Sequence, residues 1–234
     1  DEPLPQARIK GNSGFRVMLY GMLQWGDLFT ARQKVALVTL ARLTAEAKRT
    51  QRKEVAEAIA ICVDKVAMQN SSGCMWRASG ESLAGMFGMQ ALPIVWDFAE
   101  SNVFAGSTGD FQVQTEWLAE MLNQPLVRTG QVQPGDATEH PLPDETAHVW
   151  FTDPPYYDAV PYADLSDFFF VWLKRALPGH PLLRDPFDPM NPLTPKTREA
   201  VQNERSETED GRPKDKAFYE EAMAKAFAEG RGVL

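Results

Sequence analysis

Two consecutive prolines, Pro154 and Pro155, limit how this chain folds more than any other feature. Each fixes φ near about −65° and lacks a backbone N–H, so neither a helix nor a central strand runs through them. Asp153 and Pro154 each precede a proline and are pushed to extended geometry. The residues just before, Ala147-His-Val-Trp-Phe-Thr152, are rich in aromatic and β-branched types that suit a pleated, covered surface. The expectation is a short buried strand over residues 148–152, ending in the stiff loop Asp153-Pro-Pro-Tyr156. In open α/β sheets, ligands bind at that carboxyl edge of a strand.

Such a loop suits an exocyclic amine on a nucleobase. The nitrogen lone pair there is delocalised into the ring, which makes it a poor nucleophile. Acceptors at both N–H bonds localise the pair and aim it. The Asp153 carboxylate is one acceptor and the Pro154 carbonyl the other. Tyr156 offers a flat face for the base, a stacking contact worth roughly 1–3 kcal/mol. An electrophilic methyl placed opposite completes an in-line transfer, mostly by positioning. The plain alternative is a proline turn in which Asp153 only shapes the loop.

The context favours the chemical reading. Tyr157-Asp-Ala-Val-Pro-Tyr-Ala-Asp-Leu-Ser-Asp-Phe-Phe-Phe-Val-Trp-Leu-Lys-Arg175 resembles the block after the catalytic tetrad of amino-group DNA methyltransferases. The likeness is to the bacterial and archaeal adenine-specific DNA methylases with an N-terminal domain of unknown function, some with a zinc ribbon. Tyr20-Gly-Met-Leu-Gln-Trp-Gly-Asp-Leu-Phe-Thr-Ala-Arg-Gln33 and Gln90-Ala-Leu-Pro-Ile-Val-Trp-Asp-Phe-Ala-Glu-Ser-Asn102 resemble blocks of the same family. The resemblance implies transfer of a methyl group from S-adenosyl-L-methionine to adenine N6, with DNA as partner. It implies Asp153, Pro154, Pro155 and Tyr156 as the catalytic tetrad; Tyr157 and Tyr162, in the loop that follows, are the candidates for touching the substrate. It also makes Gln133-Pro-Gly-Asp-Ala137 similar to the element that meets the cofactor's adenine, with Asp136 as acceptor. A plain turn explains Gly135-Asp136 as well. Cytosine N4 or an RNA base are close variants.

One element is missing from that picture. A complete enzyme of this type needs a glycine-rich turn after its first strand, and no Gly-x-Gly follows an expected strand here. Gly230-Arg-Gly232 comes after a helical stretch. The chain begins without methionine and ends in Gly-Arg-Gly-Val-Leu234, so it reads as a piece of a longer protein. The remainder of that methylase, carrying the glycine-rich cofactor motif, is then its first partner, and the piece alone is expected to be inactive.

Charge pulls the other way. The net charge is −8, whereas nucleic-acid binders are often basic. A local basic face suffices for phosphate contacts. Residues 32–65 hold eight Lys or Arg against four Asp or Glu, a balance of +4, densest at Lys48-Arg-Thr-Gln-Arg-Lys53. That cluster reads first as a solvated helix-turn-helix surface and second as a phosphate-facing edge. No apolar run reaches the roughly 18–20 residues of a membrane span. The N-terminus resembles no signal or transit peptide, and two cysteines, Cys62 and Cys74, make neither a disulfide framework nor a four-cysteine zinc site. A cytoplasmic protein with no metal is the simple expectation.

Along the chain, residues 1–29 read as a lead-in arm, with 15–29 a short strand or irregular piece. Thr30-Ala-Arg-Gln33 fits a capping box opening a helix to about Arg49, with Val35, Leu37, Val38, Leu40 and Leu43 as apolar positions. A second helix is expected over residues 53–69, with Val55, Ile59, Cys62, Val63 and Val66 on one face. Asn70-Ser-Ser-Gly73 is a loop, and a short helix is expected over 81–87. Residues 93–104 read as short helix or irregular, and 111–123 as helical in their second half. Residues 126–132 are β-prone. The strongest helix runs over 164–177, with Leu165, Phe168, Phe169, Trp172 and Ala176 on one face. Its aspartates sit at the N-terminal end and Lys174 and Arg175 at the other, as the helix dipole favours. Residues 181–216 read as a mobile, proline-rich loop, and 217–229 resume a helix.

The fold class expected is therefore α/β: a partial Rossmann-like methyltransferase sheet with a large, mostly helical N-terminal portion. Residues 30–125 form that portion, an insertion or target-recognition region, and 126–234 the partial catalytic domain. The competing reading is a non-catalytic helical interaction module that keeps a methylase-like fold.

Overall fold

Thr30 opens the first long helix with reciprocal hydrogen bonds. Its Oγ1 accepts from the Gln33 N–H at 3.2 Å, and its own N–H donates to Gln33 Oε1 at 2.9 Å. The capping box expected from the sequence is thus formed. In the computed structural model, which describes residues 15–87, 91–92, 94–125, 130–131, 135–158 and 160–234, this helix is α1, Ala31–Ala47. Leu37, Leu40, Ala41 and Thr44 are buried, at helix spacings of three, four and seven. Val35, Val38 and Leu43 fall off that stripe and stand exposed, a correction to the apolar face expected. Helix α2, Lys53–Gln69, has the expected bounds. Ala56, Ala60, Val63 and Ala67 are its most buried line, and their small size lets α1 approach closely. Cys62 is buried, as expected, and its thiol lies 3.6 Å from the Gln114 carbonyl. Val55 is exposed instead.

Asp64 sits on α2 with little exposure, and its Oδ1 has no hydrogen-bond partner among the described residues. Burial pushes its carboxyl up to about 8. The folded protein therefore keeps this acid protonated where the unfolded chain has already ionised it. Its contribution to stability is full below the ordinary carboxylate range and is lost as pH rises toward 8. Unfolding free energies from urea titrations between pH 5 and pH 8 are expected to fall in the wild type relative to Asp64→Asn by about 1 kcal/mol per pH unit. Parallel curves for the two proteins would mean that Asp64 titrates like an exposed acid.

Asn70-Ser-Ser-Gly73 is a turn, as expected. The next stretch differs from the sequence reading. Residues 81–87 are not helical. β1, Met75–Arg77, pairs antiparallel with β2, Ser82–Ala84, placing Trp76 opposite Leu83. The reversal passes through Glu81 at φ 44°, a left-handed residue that the sequence marks with no glycine at that position. Leu83 points inward and its neighbours less so, the period of two that a strand requires. Residues 94–104 are irregular. Helix α3 is longer than expected, Phe111–Leu122, because Asp110 caps it by accepting from the Val113 N–H at 3.1 Å. Residues 15–29 form two short 3-10 turns rather than a strand, with Phe15, Trp25 and Leu28 buried.

Helix α4, Tyr162–Ala176, buries Phe168, Val171, Trp172 and Ala176. Leu165 and Phe169 pack against them in part. Phe168 is at the centre, with the rings of Trp25, Phe29, Phe87 and Phe169 around it at 5.2–6.1 Å. On the same helix the fully buried Asp167 accepts from the Thr194 N–H at 2.9 Å. Asp185 holds a turn through the N–H groups of Phe187 and Asp188 and the amide of Asn191. Buried carboxylates thus organise a segment that composition alone presents as open loop.

The chain divides into two compact units. One contains the residues up to Gln124 together with Ala163–Pro195; the other contains Pro125–Tyr162 and Lys196–Leu234. In the second unit, β3, Asn203–Glu207, and β4, Pro213–Lys214, make an irregular antiparallel pair. This hairpin lies inside the stretch expected to be loop. Helix α5, Lys216–Gly232, is capped by Asp215, which accepts from the Phe218 N–H at 2.9 Å. Gly230 and Gly232 belong to its last turn.

The architecture is helices with small sheets: the strands of the described residues form two two-stranded antiparallel sheets. Residues 148–152 are not a buried strand. Val149 is 78% and Phe151 90% exposed. Just before this stretch the Ala147 N–H donates to the Val233 carbonyl at 2.9 Å, and the Glu145 N–H to the Gly232 carbonyl at 3.1 Å. Trp150 turns inward onto α5, 5.8 Å from the Phe227 ring. Gly230 makes room for it, since a Cβ there would overlap the indole. The β-prone residues 126–129 and 132 lie outside the described residues, as do residues 1–14, Met89 and Pro93. No described helix is long and apolar enough to cross a membrane.

Candidate functional site

Residues 153–156 adopt neither helix nor strand, as two prolines require. What fixes the loop is a set of hydrogen bonds to its other polar groups. The Tyr156 N–H donates to Tyr162 Oη at 3.3 Å. Tyr219 Oη, on α5, donates to the Pro155 carbonyl at 2.8 Å. The Gln202 N–H donates to the Tyr157 carbonyl at 2.8 Å. The rings of Tyr157 and Tyr219 meet edge to face at 5.1 Å. The loop is therefore held from three directions.

Two of the loop's remaining acceptors matter for the chemistry expected of it. The Asp153 carboxylate and the Pro154 carbonyl have no hydrogen-bond or ionic partner among the described residues, and both residues are exposed. The Tyr156 ring is 58% exposed. An acceptor pair and an aromatic face are thus presented on a braced backbone, where they cost little reorganisation to use. Tyr162 accepts the Tyr156 N–H with its hydroxyl and so braces the loop, while its ring is 38% exposed. Tyr157 is exposed, with one ring edge against Tyr219.

Asp136 lies in the same unit and is already engaged. Its Oδ1 accepts from the Thr138 N–H at 2.8 Å and from Thr138 Oγ1 at 2.7 Å. Arg198 stands 3.8 Å from Oδ2. The Thr138 hydrogen bonds, with help from Arg198, hold the carboxyl below the usual carboxylate range. Arg198 also grips Glu209 through Nε at 2.8 Å and Nη2 at 3.3 Å. A cofactor amine at Asp136 would have Oδ2 to bind, in competition with Arg198.

Tyr219, Gln202 and Arg198 carry much of this arrangement and are not marked by any motif. Tyr219 lies in the stretch expected to resume a helix and is invisible to helix periodicity. The basic run at 48–53 is partly consumed within its own unit. Lys48 Nζ donates to the Pro178 carbonyl at 3.2 Å, Arg52 pairs with Glu54 at 3.4 Å and Lys53 with Glu57 at 3.4 Å. That fits the solvated-surface reading better than a phosphate-facing edge. No group of three or more metal-ligating side chains occurs among the described residues.

No protein-family model, no curated protein and no solved structure matches the chain.

Proposed function

We propose that this chain is the base-binding part of an S-adenosyl-L-methionine-dependent DNA methyltransferase that acts on adenine N6. The observation that carries the reading is the braced Asp153-Pro-Pro-Tyr156 loop with its carboxylate and carbonyl left unpartnered. Those two acceptors polarise the amine, and the exposed Tyr156 ring stacks on the base. A duplex substrate must first flip its base out, at a cost of a few kcal/mol. Asp136 meets the cofactor through Oδ2. A Rossmann-like sheet, and a glycine-rich turn for the cofactor's amino-acid end, belong to this proposal. DNA and the rest of the methylase are the partners.

Tritium transfer from labelled S-adenosyl-L-methionine to an adenine-containing duplex tests the reading, using a protein that joins this sequence to a cofactor-binding region. Label recovered as N6-methyladenine is the expected result. Label in N4-methylcytosine moves the target to cytosine, and label only in RNA moves it to RNA. No transfer by a folded protein overturns the proposal.

A second reading, a non-catalytic helical interaction module, draws on α3. Its Trp117, Met121 and Leu122 are 72%, 59% and 67% exposed. A protein that binds partners through α3 and transfers no methyl group would favour it.

A further inference from the structure

The first unit contains a cavity of about 290 Å³ that methyl transfer does not use. It lies under the 3-10 turns of residues 15–29 and beside residues 92–98. Twelve of the described residues line it, and none of these is charged. Leu28, Leu92 and Met86 are buried. Gly73 lies beside Met86: a Cβ there would come within 3.0 Å of the Met86 side chain, so the glycine lets the thioether lie close against the turn. Ser72, a polar lining residue, already donates its hydroxyl to the Leu28 carbonyl at 3.0 Å. The lining is mostly apolar, so the cavity offers a ligand few hydrogen bonds.

The rim is different. Trp96 and Tyr20 line the cavity yet are 80% and 57% exposed. Their rings meet edge to face, 5.3 Å apart with planes at 89°. An exposed tryptophan is usually free to move, but this one is held against a second aromatic ring at the mouth of an apolar hollow. Aromatic edges and faces favour one another at such angles, and methionine sulfur favours ring edges.

We propose that this cavity binds a free, uncharged aromatic molecule of about two fused rings, inserted between the Trp96–Tyr20 rim and the Met86 floor. Volume sets the size: apolar cavities of about 150 Å³ take a single benzene ring, and this one is near twice that. The absence of charge among the described lining residues disfavours carboxylates and phosphates in its depth. A nucleobase is disfavoured because its polar edges would lose water and gain few partners. The site is independent of the methyl-transfer reading, and so is its test.

Calorimetric titration with indole is the experiment, with indole-3-acetate and adenosine as comparison ligands. Saturable indole binding is expected with Kd on the order of 0.1–1 mM and a negative heat-capacity change. Indole-3-acetate and adenosine are expected to bind at least about tenfold more weakly. Ile94→Trp fills the hollow and is expected to remove binding. Trp96→Ala alters only a mostly exposed side chain and is expected to weaken indole about threefold or more. If Ile94→Trp does not fold, Val95→Phe replaces it. No saturation by about 5 mM indole, affinity unchanged in both a filling variant and Trp96→Ala, or adenosine binding more tightly than indole each overturns the proposal.

Discussion

Replacing Phe168 with alanine is expected to lower the stability of the first unit by about 3–5 kcal/mol. The side chain is 1% exposed, so no water can enter to offset the loss. Its ring stacks on Phe29 with planes 22° apart and meets Trp25, Phe87 and Phe169 closer to edge-on. Those contacts join three separate parts of the chain: the 3-10 turns of 15–29, the segment after β2, and α4. Truncation removes the apolar area of one ring and leaves a void that four other rings cannot all collapse into. A volume-sparing change, Phe168→Leu, is expected to cost less than half as much. Trp117→Ala, on the exposed side of α3, is expected to stay within about 0.5 kcal/mol of wild type. Urea unfolding followed by helical circular dichroism measures all three. Equal midpoints for Phe168→Ala and Trp117→Ala would mean that the aromatic cluster is not the centre of the unit.

The parts of this fold that the sequence announces are those whose causes are local. Thr30 and Gln33 are three residues apart, and their reciprocal capping needs nothing else. The face of α4 is legible for the same reason, since Phe168, Trp172 and Ala176 repeat at helix spacing. Strands of three residues carry too little periodicity to announce themselves, so residues 81–87 read as helix until Glu81 is seen to turn the chain. Residues 148–152 have the composition of a buried strand. Composition does not supply a neighbour, and here the alternation turns Trp150 onto α5 and leaves Val149 and Phe151 outward. The candidate site divides the same way. The stiffness of Asp153-Pro-Pro-Tyr156 follows from the prolines themselves. The brace from Tyr219 to Pro155 spans 64 residues and follows from no pattern. Asp185 and Asp167 make a related point: acidic residues in a proline-rich stretch suggest solvent, yet these two are buried and hold the backbone.

Asp153→Ala is expected to reduce methyl transfer by the joined protein on the order of 10²–10³-fold in kcat, with KM changed only a few-fold. The separation follows from when the carboxylate matters. An amine conjugated with a purine ring is planar, and its lone pair is spread over the ring. As the methyl approaches, the nitrogen becomes tetrahedral and its N–H bonds become more acidic, so acceptors at those bonds gain strength toward the transition state. The Pro154 carbonyl alone supplies one of the two. Asp153→Asn keeps the shape and one acceptor oxygen but gives up the charge, and is expected to fall between wild type and alanine. Asp158→Ala removes a neighbouring exposed acid and is expected to leave kcat unchanged, which separates a local charge effect from the role of Asp153. Tyr156→Ala is expected to act mainly on KM, because stacking holds the base equally before and during transfer. Initial rates over a range of duplex concentrations read all four variants. Transfer at the wild-type rate by Asp153→Ala would remove the carboxylate from the chemistry, and the loop would then be only a turn that two prolines stiffen and Tyr219 holds in place.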